Sequence, residues 1–272
     1  MSSRARRKSG AGRSPPADSI SRAKKERQRS AAAPSYALPC ALLFIAVFLL
    51  YAGSYRYPLV FDDKMINPLE LPILAKYCFT LSARCLSYTT LGLTYFAAGL
   101  DDLFWFRFGN VLCHALAALA CFVFLDRLFD AVRRSAPGGV AAYTPAAGRL
   151  LAFCGAVLFA ADPVAVYGVA YLIQRSIVMA TMFSLFSLAA FVRALTDGDR
   201  RWLWLSVGLY IGALFSKEHA VMLPAIALAI ALLLDKRSIG SPRDRAALIA
   251  VIAAALGLVL LRRRRSPPVD EQ

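Results

Sequence analysis

The chain has few of the residues that build metal centres or disulfide scaffolds. Only two of its 272 residues are histidine and six are cysteine, and no Cys-x-x-Cys motif or Cys/His cluster occurs. Four cysteines lie inside apolar runs, where a thiol packs as a small apolar side chain. The other two, Cys78 and Cys85, would stand about 10 Å apart on a continuous helix, which is beyond disulfide reach. The sequence therefore contains no pattern typical of a zinc module or of a disulfide framework.

Internal repeats are also missing. No 34-residue helical repeat is visible, which argues against a TPR array. No two apolar segments are interrupted at matching positions, as the paired repeats of many small transporters are. A transporter would also have its charges at mid-membrane, whereas the charges here fall at the ends of apolar runs. We therefore do not favour a transporter.

Apolar sequence is what the chain has in quantity. Hydrophobic residues make up 58% of it and the mean hydropathy is +0.54, well above what a soluble domain of this length would have. A membrane-spanning helix needs about 20 mostly apolar residues. The sequence predicts an all-α integral membrane protein of about seven transmembrane helices, at 36–55, 105–127, 149–161, 176–195, 202–216, 220–234 and 246–261.

Positive charge is concentrated at the amino terminus. Residues 1–35 contain ten Lys or Arg against two acidic residues, and they are rich in Ser, Ala and Pro. We predict a disordered tail that the positive-inside rule keeps in the cytoplasm. A polybasic arm that binds anionic lipid headgroups is the alternative. Nucleic acid is not an expected partner, because no aromatic or folded module accompanies the charge.

The remaining charges alternate with the predicted spans. Linkers rich in Lys and Arg alternate with poorer ones, so the rule assigns the two groups to opposite sides. The abundance of Ala and Arg, with short cytoplasmic linkers, favours a bacterial inner membrane. The side of the carboxyl terminus stays open, because the last predicted span is short. The predicted segments are the cytoplasmic tail 1–35, a polytopic membrane domain 36–261 with a long extracytoplasmic loop at 56–104, and a basic and polar tail 262–272.

Ionisable residues gather in the linkers that this topology puts outside the membrane. Such residues near membrane depth are costly and are functional candidates. A carboxylate can serve as a general base or hold a divalent cation, and Arg or Lys can bind the phosphate of a lipid carrier. The combination suits group transfer from a polyprenyl-phosphate donor. The candidates are Asp62, Asp63, Arg84, Asp162, Arg175, Lys217, Glu218 and His219.

Each candidate also has a structural interpretation. Asp62 and Asp63 could cap the start of a helix. Lys217 and Glu218 could form a buried ion pair between helices. Asp162, which precedes a proline, could mark only the end of a helix.

An ordered set of short motifs extends from about residue 55 to about residue 235. The set comprises Phe61-Asp62-Asp63, Arg84 ahead of Leu93-Thr94-Tyr95-Phe96 and Gly99, Phe108-x-Asn110-x-x-x-His114, Tyr171-Leu172-Ile173-Gln174-Arg175-Ser176, and Lys217-Glu218-His219-Ala220-Val221-Met222-Leu223-Pro224. It resembles the amino-terminal part of GT-C membrane glycosyltransferases, in particular the TPR-containing, O-mannosyltransferase-like membrane proteins. The ordered set is more specific than any single motif in it.

The resemblance implies transfer of a sugar from a polyprenyl-phosphate-linked donor to a protein or glycan acceptor outside the cytoplasm. In the GT-C fold an acidic residue of the first external loop is catalytic, which here implies Asp62 or Asp63. The resemblance is also compatible with a divalent cation as cofactor and with a membrane protein as partner. The residues expected at the donor phosphate are Lys217, Arg175 and Arg84, with Glu218 orienting Lys217.

The chain departs from that family in two ways. The family's second loop begins with His-Pro and has a glutamate four residues after the proline, whereas this chain has Asp162-Pro163 and then Tyr167. Its members also have more spans and a carboxyl-terminal TPR region. Both departures favour the alternative function, a non-catalytic accessory or scaffold protein of the membrane that is derived from the same family.

Overall fold

The structure, a computed structural model, describes residues 36–76, 84–135 and 143–234. From Pro39 onward the described residues belong to one compact unit, and Tyr36–Leu38 are assigned to a separate amino-terminal unit. Within the described ranges all regular structure is helical and no strand occurs. The α-helices are α1 Ala37–Leu50, α2 Leu71–Ala75, α3 Cys85–Ala98, α4 Phe104–Arg134, α5 Pro145–Ala161, α6 Ala165–Val169, α7 Arg175–Asp197, α8 Arg200–Ser216 and α9 Leu223–Leu234.

Three helical segments are long and apolar enough to cross a membrane. They are Ala37–Arg56, Phe104–Arg134 and Leu172–Asp197, with 20, 31 and 26 residues. Each includes the roughly 20 residues that a bilayer core requires. Pro145–Ala161 and Glu218–Leu234 are apolar but shorter. The prediction of an all-helical protein with membrane helices is therefore confirmed at this coarser level.

The apolar runs predicted as spans coincide with helices at six positions, and three of these helices have membrane-spanning length, so the number of seven spans stays a prediction. Helices lie at the first six predicted runs, and α4 extends beyond the predicted end at residue 127 to Arg134. α5 and α8 each have 17 residues, so each is about 26 Å long and shorter than a hydrocarbon core of about 30 Å. The seventh predicted run, 246–261, and the two predicted tails, 1–35 and 262–272, lie outside the described residues.

A tight turn reverses the chain between α7 and α8. α7 ends at Gly198, whose φ of +68° is a left-handed conformation that glycine adopts without strain. α8 begins at once, with the Asp199 carboxylate accepting a hydrogen bond from the Arg201 amide at 2.9 Å. The two helices then pack along each other. As a consequence the start of α7, at Arg175, and the end of α8, at Ser216, lie at the same end of the bundle.

Buried hydroxyl groups join α7 to α8. The Ser187 hydroxyl donates to the Ser206 carbonyl at 2.8 Å, and the Ser206 hydroxyl donates to the Ser187 carbonyl at 2.9 Å. Each hydroxyl therefore meets a polar partner inside an otherwise apolar contact. In a membrane such a bond is worth about 0.6–2 kcal/mol. The helix pair thus offers a rigid support for the residues at its end.

α4 is one of two long helices, with α7, that make the most extensive contacts in the bundle. It packs against α5 on one side and against α7 on another. The segment that precedes it, predicted as a long loop, contains α2 and α3, which cross closely because Gly92 has no side chain: a Cβ there would lie 2.4 Å from the Ala75 Cβ. α3 in turn contacts α7 and α8. This segment is therefore built onto the helix ends rather than extended away from them.

Candidate functional site

Asp63 lies inside the fold. Its side chain is fully buried, and its carboxylate accepts hydrogen bonds from the backbone amides of Leu172 at 3.3 Å and Ile173 at 2.9 Å. Burial raises the pKa of this carboxyl above its ordinary value, and the two amides and the nearby Arg107 act in the opposite direction. The sequence suggested that Asp62 and Asp63 cap the helix that they begin, but the turn Phe61–Met65 has no side-chain cap, and the Asp63 carboxylate instead binds amides of a 3-10 turn 109 residues further along the chain.

Arg107 is a second buried charged residue that joins the segment after α1 to the segment before α7. Its side chain, in the first turn of α4, is 1% exposed and donates to the carbonyls of Tyr57, Pro58 (3.2 Å) and Ala170 (3.0 Å). A buried guanidinium is costly unless it is paired, and these carbonyls and the Asp63 charge offset that cost. Sequence reasoning did not single out Arg107. The signal was available, because a charged residue near the start of an apolar span is rarely accidental.

Arg175 is also buried, at 3% exposure, at the start of α7. Its Nε donates to the Asn110 side-chain oxygen at 2.7 Å and its Nη2 to the Phe106 carbonyl at 2.8 Å. Its Nη1 lies 3.2 Å from the Thr94 hydroxyl on α3. A Cβ at Gly109 would lie 2.8 Å from Nη2, so the missing side chain there makes room for the guanidinium. The Phe108-Gly109-Asn110 motif therefore forms a socket for Arg175.

Asn110 and His114 use the same face of α4 to hold neighbouring segments. The Asn110 amide nitrogen is 3.2 Å from the Val169 carbonyl and 3.3 Å from the Leu172 carbonyl. The His114 Nε2 is 3.1 Å from the Ala160 carbonyl at the end of α5. A carbonyl can only accept, so Nε2 carries the proton in this contact. His114 is therefore a buried histidine whose ring is held by a backbone carbonyl.

Asp62, next to the buried Asp63, is exposed. Its backbone amide donates to the hydroxyl of Tyr171 at 2.7 Å. The 3-10 turn Phe61–Met65 thus directs the first of the two carboxylates outward and the second inward. The sequence favoured Asp62 as the base with Asp63 close behind it, and the structure places the two side chains in different environments, one exposed and one buried.

A continuous line of contacts leads from the backbone amide of Asp62 to Lys217, the residue that follows the end of α8. The rings of Tyr171 and Tyr167 lie 5.6 Å apart between centroids. The Tyr167 hydroxyl accepts a hydrogen bond from the Gln174 side-chain amide at 3.1 Å, and the Gln174 carbonyl oxygen accepts one from the Lys217 ammonium at 3.1 Å. We call these five residues, Asp62, Tyr171, Tyr167, Gln174 and Lys217, the surface line.

An ion pair lies beside the lysine end of the surface line. Arg84 donates to both carboxylate oxygens of Glu218, at 2.7 and 3.2 Å. The hydrogen bonds from Arg84 lower the pKa of Glu218 to about 2, and they raise the pKa of Arg84. Glu218 was expected to orient Lys217 or to form a buried ion pair with it. Instead its partner is Arg84, its side chain is 51% exposed, and Gln174 orients Lys217.

The charges around Lys217 add up to one excess positive charge. Among the described residues, Arg84 and Glu218 pair with each other, while the Lys217 ammonium donates to the neutral side chain of Gln174 and lies near the Glu218 charge. Burial, and then the charge of Arg84, lower the pKa of Lys217 from its ordinary value. His219 is exposed, and burial followed by the Lys217 charge lower its pKa, so it is neutral at pH 7.

The hydrogen bond of the Asp162 side chain is a local one and does not join it to the surface line. It follows the last residue of α5, and its carboxylate accepts a hydrogen bond from the Val164 amide at 2.9 Å. This agrees with the interpretation that it ends a helix and begins a turn. In the described ranges no group of three His, Cys, Asp or Glu side chains could hold a metal ion.

The structure thus defines an all-helical protein with three helices of membrane-spanning length and a polar surface at one end of its bundle. No family model matches the chain, and neither a curated protein nor a solved structure is found to match it.

Proposed function

We propose that this protein is a GT-C-like glycosyltransferase that moves a sugar from a polyprenyl-phosphate-linked donor to an acceptor outside the cytoplasm. One observation supports the proposal: the backbone amide of the exposed residue Asp62 and the ammonium of Lys217 are joined by one continuous line of contacts at the end of the apolar helices. A lipid-linked donor has its phosphate at the membrane boundary. A base and a phosphate-binding cation are therefore needed at that level.

The reaction we propose needs two groups from the protein. Asp62 accepts the proton of the acceptor hydroxyl as its oxygen attacks the anomeric carbon of the sugar. The bond from that carbon to the phosphate oxygen breaks, and the phosphate leaves on its lipid with one more negative charge. Lys217 stabilises this charge, and Arg84 adds to the positive potential. The proton stays on Asp62 until solvent removes it.

Two of the predicted site residues support this reaction from inside the fold. Asp63 and Arg175 are buried and bonded to protein groups, so a direct contact with donor phosphate would require Arg175 to give up the Asn110 and Phe106 bonds. Their role in the proposal is to hold the turns that present Asp62 and Gln174. Direct contact of Arg175 with phosphate stays a prediction from the resemblance.

The proposed membrane arrangement has about seven spans, a cytoplasmic amino terminus, and the surface line on the extracytoplasmic side of a bacterial inner membrane. The basic linkers support this orientation through the positive-inside rule. In a variant without native cysteines, single cysteines at positions 62 and 217 should react with a membrane-impermeant maleimide from outside. A cysteine at position 193, in the α7–α8 region, should react only after permeabilisation. The reverse pattern would contradict the orientation.

A non-catalytic accessory protein of the membrane is the second candidate. It is favoured by Tyr167, which occupies the position of the family's glutamate, and by the internal bonds of Asp63 and Arg175. In that case the polar groups hold the fold together and the surface line binds a partner protein.

Sugar turnover by the purified protein separates the two candidates. The assay offers polyprenyl-phosphate mannose and polyprenyl-phosphate glucose with wild type, Asp62→Asn and the control Asp101→Asn, another exposed acidic residue. Turnover by wild type and the control that is lost in Asp62→Asn supports the transferase. Equal turnover by all three would remove Asp62 as the base, and none by any of them favours the accessory role.

A further inference from the structure

Tyr167 is a large aromatic side chain that is held rigidly and yet left open. It is 57% exposed, although its ring packs beside Tyr171 at 5.6 Å with an interplanar angle of 43°. Its hydroxyl accepts the hydrogen bond from Gln174 at 3.1 Å. The tilted contact with Tyr171 and the hydroxyl bond to Gln174 restrict the rotamers of this ring before any ligand arrives. Such a ring offers contact area at a low further cost in entropy.

The neighbours of this ring are the groups that the proposed reaction needs. On one side Tyr171 connects it to the backbone of Asp62. On the other side Gln174 connects it to the Lys217 ammonium. In a polyprenyl-phosphate sugar the anomeric carbon is joined directly to a phosphate oxygen. Lys217 and Tyr167 are both hydrogen-bonded to Gln174, so a donor whose phosphate binds Lys217 would have the attached sugar beside the ring of Tyr167.

The chemistry of a sugar ring fits this surface. One face of a pyranose presents C–H groups, which pack against the electron-rich face of an aromatic ring, while the hydroxyl groups at its edge need hydrogen-bond partners. Gln174 and Lys217 are polar side chains at the edge of Tyr167. We propose that the exposed ring of Tyr167 is the binding surface for the sugar of the donor. This inference rests on the proposed glycosyltransferase function and names the residue that recognises the transferred group.

Two probes distinguish recognition of the sugar from recognition of the lipid phosphate. The first is a polyprenyl-phosphate hexose, as the mannose or the glucose form, and the second is polyprenyl phosphate of the same chain length without a sugar. Binding of each to the full chain in detergent is compared for wild type, Tyr167→Ala, Tyr167→Phe and Lys217→Met. Val164→Ala is the matched control, because Val164 is 79% exposed in the same turn.

Tyr167→Ala should weaken binding of at least one sugar-bearing probe by about twofold to tenfold, the range that one aromatic contact contributes. It should leave binding of the bare polyprenyl phosphate unchanged. Tyr167→Phe keeps the ring but loses the bond to Gln174, so it should bind the sugar-bearing probes more weakly than wild type and more tightly than Tyr167→Ala, and Val164→Ala should match wild type for both probes. This selective loss is the expected result.

An equal loss for both probes in Tyr167→Ala, or no loss for either, would overturn the inference. A separate result decides the phosphate site of the proposed function. Lys217→Met should weaken both probes, because both have the phosphate. If Lys217→Met binds bare polyprenyl phosphate as well as wild type does, the phosphate site fails whatever Tyr167→Ala does. Unchanged melting temperatures ensure that each variant is compared in its folded state.

Discussion

Replacement of Gly109 by alanine tests whether Arg175 occupies the socket in α4. The new Cβ would lie 2.8 Å from Nη2 and 3.2 Å from Cζ of Arg175, whereas an ordinary contact is 3.4 Å or longer. The guanidinium must therefore move by about 0.6 Å, the difference between 2.8 and 3.4 Å. A shift of that size away from the Phe106 carbonyl would lengthen the 2.8 Å bond to about 3.4 Å, beyond the usual range.

The expected cost follows from these contacts. Overpacking of a buried site costs about 1–3 kcal/mol, and weakening a hydrogen bond from a charged donor costs about 1.5–3 kcal/mol. Alanine gains up to about 1 kcal/mol over glycine in a helix, which offsets part of that cost. The net destabilisation should be about 1.5–5 kcal/mol. For a domain of this size it should lower the melting temperature by about 3–20 °C.

Thermal unfolding in detergent, followed by tryptophan fluorescence, measures this change. The matched control is Gly208→Ala in α8, where a Cβ would meet no atom within 4 Å, so that the variant should be as stable as wild type or slightly more stable. Equal melting temperatures for both alanine variants would refute the reasoning. Arg175 would then lie outside the socket, where it could contact donor phosphate directly.

Three further predictions test other parts of the site. Asp63→Asn should lower the melting temperature by several degrees. The asparagine side chain has an NH2 group in place of one carboxylate oxygen, so it cannot accept from both backbone amides, Leu172 and Ile173, as the carboxylate does, and an unpaired buried amide costs about 1–3 kcal/mol. An unchanged melting temperature would contradict the buried position of Asp63. Tyr171→Phe should lower kcat with little change in KM for the donor, because the backbone amide that positions Asp62 loses its hydrogen-bond partner at 2.7 Å. A change in KM alone would assign Tyr171 to donor binding instead. The pKa of Glu218 is lowered to about 2 in the folded protein, so its contribution to stability is present above its unfolded pKa of 4.5 and lost as pH falls towards 2. The melting temperatures of wild type and Glu218→Gln should therefore differ by a constant amount from pH 7 to pH 5 and converge below about pH 4; a gap that persists at pH 2 would argue against the Arg84 pairing.

The sequence was sufficient to locate the helices, because an apolar helix is recognisable from the local composition of the chain. The predicted run 176–195 corresponds to α7, Arg175–Asp197, and 202–216 corresponds to α8, Arg200–Ser216. α4 continues past the predicted end at residue 127, since its last two turns contain charged residues that a search for apolar runs leaves out. The α4 case shows how a helix and its apolar core can differ in length.

The site was predictable in part. Charged residues at the ends of apolar runs pointed to Asp62 and Lys217, which do fall on one line of contacts. The partners were not predictable, because they come from distant segments: Asp62 meets Tyr171, 109 residues away, and Arg84 meets Glu218, 134 residues away. Which of two adjacent aspartates lies inside depends on the turn at 61–65, whose geometry the sequence does not specify.

Turnover of a polyprenyl-phosphate sugar by wild type beside Asp62→Asn tests the central claim most directly. Loss of a general base lowers the rate of transfer by about 10²–10⁴-fold. The account predicts a loss of that size in kcat for Asp62→Asn, with wild-type melting temperature and membrane level and with normal turnover by Asp101→Asn. Turnover by Asp62→Asn within about threefold of wild type would contradict it, because the base would then be another group.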